Sequence, residues 1–142
     1  MTIAHLIEGR GADVISCDGA TSVRDAVALL ATKRIGALPV VEDGAVVGIF
    51  SERDIVYQLA ALGPALLDSS VGSIMTAPAI TVTPETGIMD ALALMTRRRF
   101  RHLPVLENDR MVGFVSIGDL VKFRIERIEA EAEAMRSYIQ TA

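Results

Sequence analysis

The sequence predicts an α/β fold of the α+β kind, built from two copies of a β-α-β-β-α unit and ending in a long helix. Shifting the 142-residue chain by 65 positions places residues 15–56 on residues 80–121 without a gap, and sixteen of the 42 aligned pairs are identical. Hydrophobic residues make up 51% of the chain and aromatic residues 4%, so the core is expected to be dense and aliphatic. A unit of fewer than about 50 residues buries too little surface alone, so the copies should pack together as one globule.

Each copy is predicted to begin with a short strand, over residues 14–17 and 80–83, followed by a helix. The helices are predicted because apolar residues recur at i, i+3, i+4 and i+7. These residues are Val23, Ala26, Val27 and Leu30 in the first copy and Ile88, Ala91, Leu92 and Met95 in the second. Ser22-x-x-Asp25 resembles a capping box at the start of the first helix.

A β-hairpin is predicted after each of these helices. In the first copy, strands over residues 37–42 and 45–50 flank Asp43-Gly44, a pair typical of hairpin turns because glycine tolerates positive φ. The second copy has Asn108-Asp109 at this point, a weaker turn signal. A closing helix starts after Ser51 and after Ser116, residues 64–70 link the copies, and a short apolar helical turn precedes each copy. The turns are marked by Ile3, Leu6 and Ile7, and by Val71, Ile74 and Met75.

The resulting organisation is a first unit over residues 1–63, a second over residues 71–126 and a C-terminal helix extension over residues 127–142. Apolar residues in the last helix follow spacings of four and three, which form a heptad-like seam. They are Val121, Ile125, Ile128, Ala132, Met135 and Ile139. Such a stripe is expected to bury against the body of the chain or against a second chain.

Composition and charge argue against several classes of protein. The net charge of −4 disfavours a general nucleic-acid binder, and no apolar run approaches the 18 residues of a membrane span. The first ten residues lack the apolar region of a secretory signal, and the single cysteine excludes an intrachain disulfide, so we expect a cytoplasmic protein. One cysteine and two separated histidines, His5 and His102, disfavour a zinc site. Cys17 is interpreted as a buried small residue, with a redox-sensing thiol as the alternative.

Two serine–aspartate pairs are the strongest candidates for a binding role. Ser51-x-x-Asp54 and Ser116-x-x-Asp119 each lie where a strand gives way to a helix. They can be capping boxes and nothing more. Alternatively, the free N–H groups of the helix start can bind phosphate while the carboxylate accepts from a ribose diol.

Basic residues are distributed unevenly between the copies. Arg101 and His102 precede the Leu-Pro of the second copy, where the first copy has Gly36 and Ala37, although Arg53 lies within the first serine–aspartate pair. We therefore expect the second copy to have the better-equipped site and the first to be weaker, empty or tuned to another ligand. The chain has no GxxxxGK[ST] or GxGxxG motif and no catalytic set, so it is not expected to be an enzyme, and bound nucleotide would be regulatory.

The segments LPVVEDGAVVGIFSERD and RHLPVLENDRMVGFVSIGDL resemble the CBS-domain family, and their tandem arrangement resembles a Bateman module of the stand-alone two-CBS-domain kind. The resemblance covers residues 3–126. It implies pseudo-two-fold packing of the copies, with a cleft on each side that holds AMP, ADP, ATP, NAD(H) or S-adenosylmethionine in relatives. It assigns ribose binding to Asp54 and Asp119 and phosphate binding to Ser51 and Ser116. Further cleft positions implied by the same motifs are Ser16, Thr81, Ala37, Leu38, Pro39, Arg53, Arg101, His102, Leu103, Pro104 and Gly118.

Two functional hypotheses follow from these features. The first is a regulatory module that binds an adenine nucleotide (AMP, ATP or NAD(H)), forms a homodimer and modulates an unidentified protein in trans. The second is a ligand-free dimerisation or protein-interaction module, in which both serine–aspartate pairs are helix caps only. No metal, nucleic acid or membrane partner is expected in either case.

Overall fold

Two β-hairpins, each with helices packed on it, form the framework of this computed structural model, which describes residues 1–11 and 13–141. In chain order the elements of these residues are α1 (Ile3–Ile7), α2 (Val23–Lys33), β1 (Ala37–Glu42), β2 (Ala45–Ser51), α3 (Glu52–Leu62), a 3-10 helix (Gly63–Asp68), α4 (Val71–Ile74), α5 (Ile88–Arg98), β3 (His102–Glu107), β4 (Arg110–Ser116) and α6 (Ile117–Thr141). The α+β repeat and the long final helix predicted from the sequence are confirmed.

The two hairpins have the same register. β1 pairs antiparallel with β2 and β3 with β4, and both ladders carry an irregularity directly after the valine of the Leu-Pro-Val segment. Both turn residues are left-handed in each hairpin, with φ of 51° and 80° at Asp43 and Gly44 and of 52° and 61° at Asn108 and Asp109. Two successive positive φ values are what a two-residue hairpin turn requires, so the Asn-Asp turn forms despite its weaker signal.

The predicted first strand of each copy is replaced by a single parallel bridge. Cys17 pairs with Val40 and Val82 with Val105, and the flanking residues make no ladder among the described residues. The chain leaves the sheet at once in the first copy because the Asp18 carboxylate accepts N–H groups from two and three residues ahead. In the second copy a proline, which has no N–H to donate, follows two residues after the bridge.

Each copy packs against the short leading helix of the other. Ile3 and Leu6 of α1 belong to the hydrophobic core of the second copy, whereas Val71 and Ile74 of α4 belong to that of the first. Residues 64–70, predicted only as a linker, form most of the 3-10 helix, whose Leu66 is fully buried in the first core. The copies are therefore interlocked by an exchange of their leading segments.

The recurring Val-Gly of the third predicted strand explains how the leading segments come so close. A β carbon on Gly48 would lie 2.8 Å from the carbonyl oxygen of Thr76, and one on Gly113 would lie 3.1 Å from the Ile7 side chain. Thr76 also exchanges two backbone hydrogen bonds with Ile49, each of 2.9 Å. Glycine is thus required for close approach, and the approach brings each leading segment beside the other copy's serine–aspartate pair.

The C-terminal half of α6 leaves the body of the chain. Leu120 is fully buried, but Ile125, Ile128, Met135 and Ile139 of the predicted seam are 47–67% exposed. Burial of the seam against the chain's own body is therefore not observed. Ala142, the last residue of the predicted extension, lies outside the described residues. No helix in the described part of the chain is both long and apolar enough to cross a bilayer.

Candidate functional site

Two clefts open where the copies meet, and each is built from both copies. Cleft A has a volume of about 390 Å³ and lies between residues 51–53 of the first copy and residues 78–80 and 99–102 of the second. Cleft B has a volume of about 490 Å³ and lies between residues 13–15 and 34–37 of the first copy and the start of α6. Both volumes fall in the range of small-molecule sites, which is about 300–1,000 Å³.

Both serine–aspartate pairs form reciprocal helix caps. The Ser51 N–H donates to Asp54 Oδ2 at 2.9 Å, and the Asp54 N–H donates to Ser51 Oγ at 3.4 Å. The Ser116 N–H donates to Asp119 Oδ2 at 2.8 Å, and the Asp119 N–H donates to Ser116 Oγ at 3.0 Å. The capping interpretation is therefore correct for both pairs, and it leaves acceptor capacity on each carboxylate for a second partner.

The second partner of each carboxylate comes from the leading segment of the other copy. Thr76 Oγ1 donates to Asp54 Oδ1 at 2.8 Å. The Arg10 guanidinium faces Asp119 in a two-pronged arrangement, with Nη2 3.4 Å from Oδ1 and Nη1 3.5 Å from Oδ2. The two carboxylates thus have the same place in the fold but a neutral partner in one copy and a cationic partner in the other.

Burial acts to raise the pKa of the Asp119 carboxyl, but the Ser116 N–H and the Arg10 guanidinium outweigh it and hold this pKa below its ordinary value. Asp119 is therefore ionised at neutral pH and remains a hydrogen-bond acceptor for a sugar diol.

The charge of the two clefts differs. Arg53, Arg99 and Arg101 line cleft A together with one carboxylate, that of Glu52. Arg53 Nη1 also donates to the carbonyl oxygen of Arg99 at 2.8 Å, which ties the start of α3 to the end of α5. In cleft B two arginines face two carboxylates, those of Asp13 and Asp119. Cleft A is therefore the more cationic of the two.

His102 lies between the clefts and lines both of them. Its ring stacks on Phe114, with centroids 5.5 Å apart and an interplanar angle of 14°, and it lies against Gly36, where a β carbon would be 3.4 Å from Cε1. Burial lowers the pKa of His102, against the opposing influence of Asp119 and Glu52, so the imidazole is neutral at pH 7. The ring can therefore donate one hydrogen bond into the clefts but carries no charge.

The structure groups the predicted residues by cleft and not by copy. Arg101 lines cleft A beside Ser51 and Arg53, whereas Asp119 lines cleft B beside Ala37. The sequence-based grouping of Arg101 with Asp119 in one second-copy site therefore does not match the geometry, because the exchange of leading segments places each serine–aspartate pair opposite the other copy.

Several predicted residues line neither of the two clefts formed by the described residues. Ser16 and Thr81 lie outside both linings, while their neighbours Ile15 and Ile80 line clefts B and A. Successive side chains of extended backbone point in opposite directions, so the apolar neighbour takes the cleft position. The remaining residues of this kind are Leu38, Pro39, Leu103 and Pro104, which are buried, and Gly118, which is exposed.

Asp54 is connected to cleft A through Thr76. The Thr76 hydroxyl donates a hydrogen bond to the Asp54 carboxylate, and Thr76 lines the cleft. Thr76 and Arg10 are the residues that the sequence analysis missed. The internal alignment that begins at residue 15 does not reach them, so the repeat gave no signal at either position.

Cys17 is half-buried, and burial together with the neighbouring Asp18 raises the pKa of its thiol to about 11. The thiol is therefore protonated at neutral pH, which favours the small packed residue over the redox sensor.

Comparison with known proteins agrees with this architecture. The family model described as CBS domain matches residues 11–61 and 71–126. The chain is 36% identical over 148 residues to the mitochondrial CBS domain-containing protein CBSX3 of Arabidopsis thaliana, covering 98% of this chain and 72% of the relative.

Two solved structures have the same fold. The CBS-domain-containing protein ATU1752 from Agrobacterium tumefaciens superposes with a TM-score of 0.83 at 38% identity, covering 87% of this chain and 99% of that one. CBSX2, whose crystal structure is a complex with AMP, superposes with a TM-score of 0.74 at 28% identity, covering 88% and 96%. With two matched segments that span most of its length, the chain belongs to the CBS-domain family.

Proposed function

We propose that this chain is a regulatory module that binds an adenine nucleotide, of the AMP, ATP or NAD(H) type, in the clefts between its two copies and modulates a partner protein in trans. The observation that carries the proposal is the duplicated serine–aspartate pair, which combines a helix N-terminus with a carboxylate beside a cleft lined by arginine. CBS domains are regulatory modules and not enzymes, in agreement with the sequence-based prediction that the chain is not an enzyme.

Each part of a nucleotide has a counterpart in the clefts. At the start of each helix the N–H of the first residue donates to a carbonyl oxygen and that of the aspartate donates to the serine, which leaves the N–H of Arg53 in α3 and of Gly118 in α6 for phosphate in the described part of the chain. The carboxylates of Asp54 and Asp119 offer acceptors to the ribose hydroxyls. Ile80 in cleft A and Ile15 in cleft B give the adenine an apolar surface. The complex of the related CBSX2 with AMP supports this class of ligand.

Regulation would follow from the position of the clefts. A ligand that contacts both copies binds some relative arrangements of the copies better than others and shifts the population toward them. A partner that reads the arrangement then responds to ligand concentration, with a coupling set by the differential affinity.

The proposal is tested by titrating AMP, ATP and NADH into the purified chain by calorimetry. We expect saturable binding of at least one of them and, at about a hundred times Kd, a gain of about 2.7 kcal/mol in the free energy of unfolding. Replacing both carboxylates, Asp54→Ala with Asp119→Ala, should abolish the ligand-induced gain. Absence of binding at millimolar concentration of all three ligands would contradict the proposal.

A ligand-free interaction module is the second candidate, and it is favoured by the capping geometry of both pairs. In that case the double aspartate variant would lower stability but titrations with wild-type protein would show no heat of binding.

We also propose that a second copy of this chain covers the exposed apolar residues of α3 and of α6. Val56 and Tyr57 of α3 are 62% and 66% exposed, and Met135 and Ile139 of α6 are 63% and 67% exposed. Light scattering should give a dimer mass that Ile125→Asp with Ile128→Asp converts to monomer, while Glu129→Gln leaves it unchanged. A monomeric wild type would refute the homodimer.

The cytoplasmic location stays a prediction, and the related CBSX3 is named as a mitochondrial protein.

A further inference from the structure

Arg10 is the one arginine in either cleft that an ion pair joins to the carboxylate of a serine–aspartate pair, within the described part of the chain. It follows α1, which packs in the second core, and its N–H donates to the carbonyl of Ile7 at 3.0 Å. The exchange of leading segments therefore positions its side chain beside Asp119.

The ion pair is loose. Its two contacts are 3.4 Å and 3.5 Å, longer than a strong charge-assisted hydrogen bond, and the side chains of Arg10 and Asp119 are 46% and 34% exposed. Exposed pairs of this kind are weak because water screens them. The guanidinium can therefore leave Asp119 for an anion that binds it more strongly, with little loss of free energy from the broken ion pair.

A 5′-phosphate is such an anion, and Arg10 lines the cleft in which it would lie. A ribose that donates its 2′ and 3′ hydroxyls to Asp119 carries its 5′ carbon on the opposite edge of a small ring. To reach a phosphate on that carbon, the half-exposed Arg10 guanidinium leaves Asp119 and swings along the ring. Two parallel N–H groups then match two phosphate oxygens.

We propose that Arg10 recognises the 5′-phosphate in cleft B and makes this cleft selective for adenosine 5′-phosphates over adenosine. The inference rests on the proposed function, because it requires a ribose at Asp119. Thr76, which has the equivalent place beside Asp54, has no charge, so the same selectivity in cleft A must come from the arginines of its lining, Arg53, Arg99 and Arg101.

The test compares AMP with adenosine in calorimetric titrations at pH 7.5, in an Arg101→Ala background that weakens cleft A. Arg10→Gln should weaken AMP binding about tenfold or more and change adenosine binding less than about threefold. Arg10→Lys should give an intermediate loss, because an ammonium retains the charge without the two-pronged donor. Arg24→Gln, which removes an exposed ion pair with Asp68 away from both clefts, should leave both ligands unaffected.

The outcomes separate this inference from the proposed function. If the parent protein binds neither AMP nor adenosine, the proposed function fails. If it binds both and Arg10→Gln weakens them by the same factor, Arg10 only positions Asp119 and the inference is wrong. A selective loss of AMP in Arg34→Gln with no loss in Arg10→Gln would also overturn it, since Arg34 is the other arginine of cleft B.

Discussion

Clefts A and B occupy equivalent places in a duplicated fold, yet they present different chemistry. Each has a capped aspartate at the start of a helix and a second side chain that reaches it from the other copy's leading segment. In cleft A that side chain is the hydroxyl of Thr76 and the arginines lie elsewhere; in cleft B it is the guanidinium of Arg10. The residues that both copies share fix the backbone, and the residues that differ give the two clefts different charges.

The largest difference between the two clefts in ligand affinity is expected on replacing Arg101, which lines cleft A and not cleft B. Arg101→Ala should weaken ATP binding at the stronger site about 10- to 100-fold, because a hydrogen bond to a charged phosphate contributes about 1.5–3 kcal/mol. A control, Arg97→Ala, removes an exposed arginine of α5 outside both linings. Calorimetry that resolves two sites measures both effects. Equal losses at the two sites would remove the charge distinction between the clefts.

Alanine substitutions at the two close-approach glycines, Gly48 and Gly113, should lower the free energy of unfolding by different amounts. Gly48→Ala places a β carbon 2.8 Å from the carbonyl oxygen of Thr76, whose backbone is hydrogen-bonded in both directions, whereas Gly113→Ala places one 3.1 Å from the Cγ2 methyl of Ile7, a half-buried side chain. We expect Gly48→Ala to cost about 1–3 kcal/mol and Gly113→Ala to cost less, as for overpacked cores. Urea unfolding of both variants gives the comparison. A larger cost at Gly113 would mean that α1 is held more rigidly than the segment around Thr76.

The smallest effect concerns His102, the residue shared by the clefts. Because burial lowers its pKa in the folded state, folding favours the neutral ring, and this contribution is present above pH 6.5 and lost as the pH falls below that value. Asp119 and Glu52 oppose the shift and Arg101 adds to it. Between pH 7.5 and 5.5 the wild type should lose under about 1 kcal/mol more stability than His102→Gln. Urea unfolding at both pH values tests this prediction. Identical losses of stability in the two proteins would show that burial between the clefts does not lower the pKa of His102.

Much of the fold could be predicted because the same local sequence patterns occur in both copies. The hairpins, the closing helices and the leading turns all depend on local patterns such as Asp43-Gly44 and the apolar stripe from Val23, which act within a few residues. The prediction of a short first strand in each copy was wrong. A single bridge residue such as Cys17 lies in the same kind of apolar segment as a strand, so hydrophobicity alone does not distinguish the two.

The site was harder to predict because it is made of contacts between copies. Ser51 and Ser116 are predicted from their motifs, but their neighbours depend on the exchange of α1 and α4, which no local pattern encodes. Grouping residues by copy therefore paired Arg101 with Asp119, whereas the fold places Arg101 in the cleft of Ser51. Arg10 lay outside the aligned repeat and gave no signal.

The central claim, that each cleft is built from both copies, is tested most directly by two double variants titrated with AMP. Asp54→Ala with Arg101→Ala changes residues assigned to cleft A alone, so one binding site should remain with nearly wild-type affinity. Asp119→Ala with Arg101→Ala changes both clefts, so binding should be weakened at both sites. The opposite pattern, with one intact site left only in the Asp119 and Arg101 double variant, would show that each copy forms its own site and would contradict the account.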